Sequence, residues 1–291
     1  MPELPDVEVY VRRLNAIYGG KTLEKITLKS PFVLRTFEPD LFACEGRKVI
    51  AFHRHAKRII WEFESDLWLV FHLMIAGRFH RKKPGTKPRG KSDLAAFYFP
   101  DDTLMLTEAG KKHRAAIYCF DDAAKIDELD RGGIEPLTCT LEEFAQQLKC
   151  ENHTVKRSLT DPRLFSGIGN AYSDEILHAA KLSPIRWTSR LTDEEIERLH
   201  ATVVATLTRW TELLEEQIGD GFPEKVTAFH PKMSVHGRFG EPCPVCDAPV
   251  QRIVYAENET NYCVKCQTDG KLLADRSLSR LLKDDWPKAL E

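Results

Sequence analysis

The chain has 291 residues, a length typical of two domains, with 42% hydrophobic and 30% charged residues and a formal net charge of −2. It has no uncharged apolar run long enough to cross a bilayer and no secretory signal pattern, which excludes membrane-spanning and secreted classes and predicts a cytoplasmic protein. Basic residues concentrate at 54–58, 78–91 and 111–114. Each cluster alone fits a solvated loop equally well, but together they favour one basic face that binds nucleic acid.

The first 131 residues begin with one helical pattern and continue with short strand patterns. Apolar residues at helical spacing follow Pro5 and predict a helix over residues 5–18. Strand patterns follow at 23–28, 57–63, 67–73, 97–99, 104–106 and 115–120. Turns are predicted at Ser65-Asp66 and at residues 100–102, and residues 78–91 are expected to form a mobile loop. This order predicts an antiparallel β-sandwich with the N-terminal helix packed on it.

Helical patterns replace strands beyond a linker at residues 131–136. Thr140 with Glu143, and Thr192 with Glu195, form capping boxes that predict two helix starts. The second helix carries a long apolar stripe and is expected to stop at Gly219. The chain is therefore predicted to be an α+β protein with a β-sandwich domain at 1–131, a helical domain at 132–232, and a zinc hairpin with its tail at 233–291.

Four cysteines near the C-terminus have the spacing of a zinc site. Cys243 and Cys246 form one C-x-x-C pair, Cys263 and Cys266 form another, and sixteen residues separate the pairs. Four thiolates complete a tetrahedral shell and leave no open position, which predicts one structural zinc ion rather than a catalytic one. A redox disulfide pair is the alternative, and the spacing disfavours it. The small hairpin between the pairs needs the metal in order to fold.

A glycine-rich turn at residues 165–175 precedes another predicted helix. Gly167 and Gly169 permit tight turns, and Asn170 is placed to cap a helix over residues 171–181. Exposed amides at such a helix start bind phosphate well. On local pattern alone, a plain turn between two helices is the favoured explanation of the segment.

These segments together resemble the formamidopyrimidine-DNA glycosylases of the Fpg/Nei family. The matching motifs are PELPDVE at 2–8, HAKRII at 55–60, GIGNAY at 167–172, GRFGEPC at 237–243 and the four cysteines. They occur in family order over nearly the whole chain. The resemblance implies a β-sandwich domain followed by a helical domain that carries a helix–two-turns–helix element and a zinc hairpin.

The resemblance also implies an activity and a set of site residues. A member of this family is a DNA glycosylase and abasic-site (AP) lyase of base-excision repair, acting as a monomer on damaged double-stranded DNA, here in a bacterial nucleoid. Pro2, exposed by removal of Met1, would be the nucleophile that forms a Schiff base with the sugar, and Glu3 the general acid and base. Lys57 would stabilise leaving groups and contact phosphate. Phosphate contacts are also implied for Asn170 and for Lys156.

The chain departs from the family pattern in the residues that grip and read the lesion. The arginine five residues before the third cysteine is replaced by Asn258, which brings no charge, and Arg276 is a possible substitute. An apolar wedge survives at Met74 or Ile75. The D-P-R-R-F-G motif is absent, and His113 or Arg114 is the candidate for its role. The loop at 219–234 is short for an enzyme that cradles 8-oxoguanine.

One further departure is mild, because Asp6 replaces a glutamate. These changes predict the same reaction with a different or broader lesion choice, such as oxidised pyrimidines or bare abasic sites. Two alternatives remain: a lyase that acts only on abasic sites, and a non-catalytic zinc-hairpin protein that binds damaged DNA. The tail beyond Gln267 has leucines at helical spacing and predicts a short docked helix.

Overall fold

The computed structural model describes residues 1–110, 112–255 and 258–274. It divides into two compact units, of which the first contains Met1–Arg131 and Trp210–Thr227. The second contains Gly132–Arg209 and the described residues from Ala228 onward. Within the described chain, no helix has both the length and the apolar character required to span a membrane. Arg276 and the helix predicted in the tail lie outside the described residues.

The first unit is a β-sandwich with a helix at its N-terminus. Its elements are α1 (Leu4–Tyr18), β1 (Thr22–Leu23), β2 (Lys25–Leu28), β3 (Arg47–His55), β4 (Arg58–Phe63), β5 (Leu67–His72), β6 (Gly77–Lys82), β7 (Asp93–Tyr98), β8 (Thr103–Glu108), β9 (Ala116–Phe120) and α2 (Ala124–Asp127). One antiparallel sheet has the order β1-β3-β4-β5-β9, and the other has the order β2-β7-β8-β6. The predicted sandwich is confirmed.

Aromatic side chains from both sheets fill the sandwich. Trp61 on β4 lies 4.6 Å from Phe71 and 5.0 Å from Phe97, measured between ring centroids, and all three are buried. Tyr10 of α1 contacts Phe79 of β6 at 6.0 Å. Burying side chains of this size contributes about 1.5–3 kcal/mol each, so this contact is one of those that hold α1 on the sandwich.

The structure has two strands, β3 and β6, where the sequence predicted none, and β4 begins one residue later than predicted. β6 runs through the basic segment expected to be a loop, and it is the edge strand beside β8, where exposed charges are tolerated. β3 was not predicted, because its polar residues hide the alternation that is typical of a strand. Lys57 was predicted to begin a strand. The pairing of His55 with Arg58 instead places it in the two-residue turn between β3 and β4.

The second unit contains helices followed by a hairpin. Its elements are α3 (Leu141–Lys149), α4 (Val155–Thr160), α5 (Asn170–Ala179), α6 (Asp193–Ile218), β10 (Val250–Tyr255), β11 (Asn258–Cys263) and α7 (Val264–Thr268), with the residues of α6 from Trp210 onward assigned to the first unit.

Both predicted capping boxes form in this unit. The Glu143 amide donates to Thr140 Oγ1 at 3.2 Å, and the same contact joins Glu195 to Thr192. The prediction that Asn170 caps α5 is wrong, because Gly169 occupies the extended capping position and Asn170 is the first helical residue. The Asn170 side chain is therefore left for contacts outside the helix.

Candidate active site and nucleic-acid interface

The N-terminal residues are buried where α1 begins. Pro2 is buried and Glu3 is only 4% exposed, and α1 starts at the next residue. The Glu3 amide donates to Asp6 Oδ2 at 2.8 Å. Asp6 thus fixes the backbone that carries Pro2 and Glu3. The sequence showed only that Asp6 stands where the family has a glutamate, which did not reveal this role. Burial raises the pKa of Asp6 to about 7.

The α-amine lies among charged groups of the same unit. Burial lowers the pKa of the amine at Met1, the charge of Glu3 opposes this shift, and the charges of Arg78 and Lys57 reinforce it. A depressed pKa increases the fraction of neutral amine near pH 7. The surroundings therefore favour the nucleophilic form of an amine at this end of the chain.

Lys57 is held close to this cluster by its hairpin turn. Ala56 has a φ of +53°, which closes the turn, and Arg54 Nε donates to Glu8 Oε2 at 2.9 Å, joining β3 to α1. Burial lowers the pKa of Lys57, while the charges of Glu3 and Asp6 raise it. Glu3 and Lys57, which come from two separate motifs, thus lie within electrostatic reach of each other, and Pro2 precedes Glu3 in the chain.

The predicted wedge and probe residues lie on two loops of the first unit. Met74 has a φ of +53° in the turn between β5 and β6, where its neighbour Ile75 is 58% exposed. The turn closes through a hydrogen bond from the Gly77 amide to the Leu73 carbonyl at 2.8 Å. A Cβ at Gly77 would collide with that carbonyl, so the turn requires glycine.

Arg114 and His113 are exposed on the loop between β8 and β9. The Arg114 amide donates to Oε2 of buried Glu108 at 2.7 Å. This bond anchors the backbone of the loop and leaves the Arg114 side chain exposed. Lys111, which belongs to the same predicted basic cluster, lies outside the described residues.

Asn170 and Lys156 meet at the start of α5. Asn170 Nδ2 donates to the Glu259 carbonyl of β11 at 2.8 Å. Lys156 Nζ donates to the Asn170 carbonyl at 3.1 Å and to Ser173 Oγ at 3.0 Å, and it also pairs with Asp174. Sequence reasoning missed Asp174, because an acidic residue inside a helix usually faces solvent. The side chain of Asn258 lies outside what the structure describes.

The four predicted cysteines converge at the base of the hairpin formed by β10 and β11. Cys246 and Cys263 have their sulfurs 3.4 Å apart, and those of Cys243 and Cys266 are 4.0 Å apart. Tetrahedral zinc with bonds of about 2.3 Å to sulfur requires a separation of roughly 3.8 Å. The donor set therefore fits the one structural zinc that the spacing predicted.

His178 of α5 adds a nitrogen to this cluster. Its Nε2 lies 3.2 Å from Cys243 Sγ, and its ligand atom lies within 4.8 Å of the sulfurs of Cys243, Cys263 and Cys266. Burial lowers the pKa of His178, which favours the neutral ring. No spacing rule links it to the C-x-x-C pairs, because it comes 65 residues before Cys243. No sequence pattern could therefore have predicted its place beside the cysteines.

Comparison with known proteins accounts for this combination of features. The formamidopyrimidine-DNA glycosylase N-terminal domain matches residues 1–113, the H2TH domain of the same enzymes matches 133–219, and the zinc finger found in FPG and IleRS matches 240–268. The formamidopyrimidine-DNA glycosylase of Thermus thermophilus is 34% identical over 279 residues, covering 93% of this chain and 100% of the relative. The chain belongs to the formamidopyrimidine-DNA glycosylase family.

Other members give the same result. The enzyme of that name from Lactobacillus helveticus is 30% identical and covers 92% of this chain and 99% of its own. The structure of LlFpg with a THF-DNA and an inhibitor superposes with a TM-score of 0.82 at 26% identity, over 92% of this chain and 100% of that one. MutM in complex with DNA containing carbocyclic 8-oxo-G gives 0.81 at 27% identity, with the same coverage. The predicted family and fold are confirmed.

Proposed function

We propose that this chain is a DNA glycosylase and AP lyase of base-excision repair that removes oxidised bases from duplex DNA. The observation that carries the proposal is the burial of Pro2 and Glu3 at the start of α1, with the half-buried Lys57 within electrostatic reach of Glu3. A protein that only binds damaged DNA has no use for a neutral amine beside a carboxylate, which disfavours the non-catalytic alternative. Because the substrate is chromosomal DNA, we place the enzyme with a bacterial nucleoid, as a monomer.

The chemistry begins after removal of Met1. The neutral amine of Pro2 attacks the sugar C1′, a nitrogen–carbon bond forms, and the glycosidic bond breaks with its electron pair leaving on the base, which takes up a proton. The amine loses its proton, the bond from C1′ to O4′ opens, and O4′ is protonated, leaving an iminium at C1′. Glu3 is the group that carries these protons.

Strand cleavage follows from the same iminium. It acidifies C2′, and loss of that proton expels the 3′ phosphate; a second elimination expels the 5′ phosphate. Lys57 offers its ammonium to a phosphate or to the departing oxygen, and Asn170 contacts phosphate from the start of α5. Met74 or Ile75 is the wedge, and Arg114 reaches toward the orphaned base.

The choice of lesion is expected to differ from that of an 8-oxoguanine enzyme. The short loop at 219–234 and the lost D-P-R-R-F-G motif both alter lesion reading, whereas Pro2, Glu3 and Lys57 are retained. We propose oxidised pyrimidines or abasic sites as the preferred substrates. A panel of duplexes containing 8-oxoguanine, a formamidopyrimidine, an oxidised pyrimidine or an abasic site separates a glycosylase from a lyase that acts only on abasic sites.

Borohydride trapping tests the proposal directly. Borohydride reduces an iminium to a stable amine, so the native protein should become covalently linked to a duplex with one abasic site, and peptide mapping should place the link at Pro2. Pro2→Gly still carries an α-amine after removal of Met1, so position 2 should remain the site of any adduct, at a reduced yield. Glu24→Gln, which alters an exposed acid, should match the native protein. A native protein that binds this duplex without forming an adduct would overturn the enzymatic function in favour of damage sensing.

A further inference from the structure

The ammonium of Lys156 makes every hydrogen bond that it can make inside the second unit. Its three partners are the Asn170 carbonyl, Ser173 Oγ and Asp174 Oδ1. A lysine ammonium has three N–H donors and no acceptor. Its side chain is 11% exposed and that of Asp174 is 0% exposed. Direct donation to a DNA phosphate would require Lys156 to break one of these bonds and leave a buried partner unpaired.

Asp174 extends the network to two further segments. Its Oδ2 lies 2.7 Å from Nδ1 of His236, which is 6% exposed. The same oxygen accepts the Asn261 amide of β11 at 3.1 Å. The buried carboxylate of Asp174 therefore joins four segments, which are α4, α5, the segment at His236 and β11 of the zinc hairpin.

Neighbouring contacts strengthen the same junction. Glu175, beside Asp174, accepts the amides of Ser234, Val235 and His236 at 2.7, 2.9 and 3.0 Å. Asn261 Oδ1 accepts the Gly237 amide at 2.8 Å. The two adjacent acids thus hold the approach to the zinc site against α5, and Asn170, at the start of that helix, bonds to β11.

We propose that Lys156 is a positioning residue for DNA binding and acts through Asp174. Its charge neutralises the carboxylate that fixes the start of α5 against the zinc hairpin, and this sets the direction of the Asn170 amide. A buried carboxylate keeps this geometry only while its charge is balanced. The inference rests on the proposed function, because it concerns how that enzyme grips its substrate.

The dependence of DNA affinity on salt distinguishes positioning from direct contact. Each phosphate contact contributes about 0.9 to the slope of log affinity against log salt, because bound cations release counterions. The probe is a duplex with one tetrahydrofuran abasic-site analogue, which the enzyme binds without cleaving. Lys156→Met is expected to weaken binding at least about tenfold, since small misplacements of contacting groups have effects of this size. The slope should stay that of the native protein.

Two further measurements separate positioning from a loss of folded protein. Borohydride titration on an abasic duplex counts the competent molecules, and the lower affinity should persist when expressed per competent molecule. The double variant Lys156→Met/Asp174→Asn removes both buried charges and should recover part of the affinity. Lys149→Met, which removes an exposed lysine from α3, is the matched control and should leave affinity unchanged.

Each other outcome is decisive. A slope reduced by about one unit in Lys156→Met would identify a direct phosphate ligand and overturn the inference. The inference would also be overturned if Lys156→Met gave fewer competent molecules but native affinity per competent molecule. It would likewise be overturned if the double variant bound DNA no more tightly than Lys156→Met. If the native protein itself neither binds nor traps, the proposed function fails instead, and the two failures are thereby distinguished.

Discussion

Two lysines for which the family resemblance implies phosphate contacts occupy very different surroundings. Lys57, in the first unit, lies in a hairpin turn where burial lowers its pKa and the charges of Glu3 and Asp6 raise it. Lys156, in the second unit, is paired directly with a fully buried carboxylate and donates to two more oxygens. Lys156 thus already neutralises a partner in the fold, whereas Lys57 is the lysine proposed above to act on the DNA.

The difference shows that a lysine at a position matched to the family does not by itself determine what its ammonium group does. An ammonium in a cluster of carboxylates acts on a substrate only when the fold leaves one of its donors unused. In the first unit the charges of Glu3 and Lys57 act on the N-terminal amine, which is consistent with the chemistry proposed above. In the second unit the cluster joins four segments, which is consistent with the proposed positioning role.

Glu3→Gln should have the largest effect and should be confined to the first unit. Glutamine cannot carry a proton, so base excision is expected to slow by about 10²–10⁴-fold, measured in single-turnover assays on a lesion duplex. DNA affinity should not fall, because Glu3 brings no cation that could bind phosphate. A loss of DNA affinity as large as the loss of excision rate would contradict the proposed separation between catalysis and DNA binding.

Cys263→Ser should show the opposite pattern. Structural zinc supplies on the order of 10 kcal/mol of folding free energy to domains of this kind, so the hairpin should unfold and DNA affinity should collapse. Zinc content by atomic absorption should fall below one ion per chain. Cys150→Ser, which alters an exposed cysteine, is the control. Retained zinc and retained affinity in Cys263→Ser would contradict the assignment.

Lys57→Met should alter the salt dependence that Lys156→Met leaves unchanged. Loss of one phosphate contact is expected to make the slope of log affinity against log salt shallower by about 0.9. Binding of the tetrahydrofuran duplex between low and moderate salt measures it. A native slope in Lys57→Met would restrict that lysine to the leaving-group role.

The pH dependence of trapping should report the amine. Only the neutral amine attacks, so the trapping rate should rise with pH until the Pro2 amine is neutral. Burial and the charge of Arg78 lower the pKa of the amine at Met1, and we expect them to act in the same direction on the amine of Pro2. Arg78→Met should therefore move the midpoint to higher pH. A midpoint that moves to lower pH in this variant would contradict the described electrostatics.

Asn258→Arg should have the smallest effect, and it concerns the second unit alone. An added cation at the hairpin is expected to improve lesion cleavage at moderate salt and to steepen the salt slope by up to about 0.9. Asn258→Gln, which adds length without charge, is the control. Unimproved cleavage would mean that phosphate binding is not limited at this position.

Much of the architecture could be predicted from local pattern. The two capping boxes, the turn at Ser65-Asp66, the helix stop at Gly219 and the zinc cysteines all depend on residues close together in sequence. β3 and β6 could not be predicted, because charged side chains on exposed strand faces hide the alternation. The cap of α5 was placed one residue late, because glycine and asparagine both suit that position.

The sequence by itself determined which groups are present: an N-terminal proline followed by a glutamate, a turn lysine, and four thiolates with zinc spacing. Only the tertiary structure decided which of the polar and charged groups already have partners inside the fold. Asp174 meets Lys156 across 18 positions, His236 across 62 and Asn261 across 87, and His178 meets Cys243 across 65. No periodicity connects residues so far apart. Their pairing follows from burial, because a charge removed from water must find a partner wherever the fold places one.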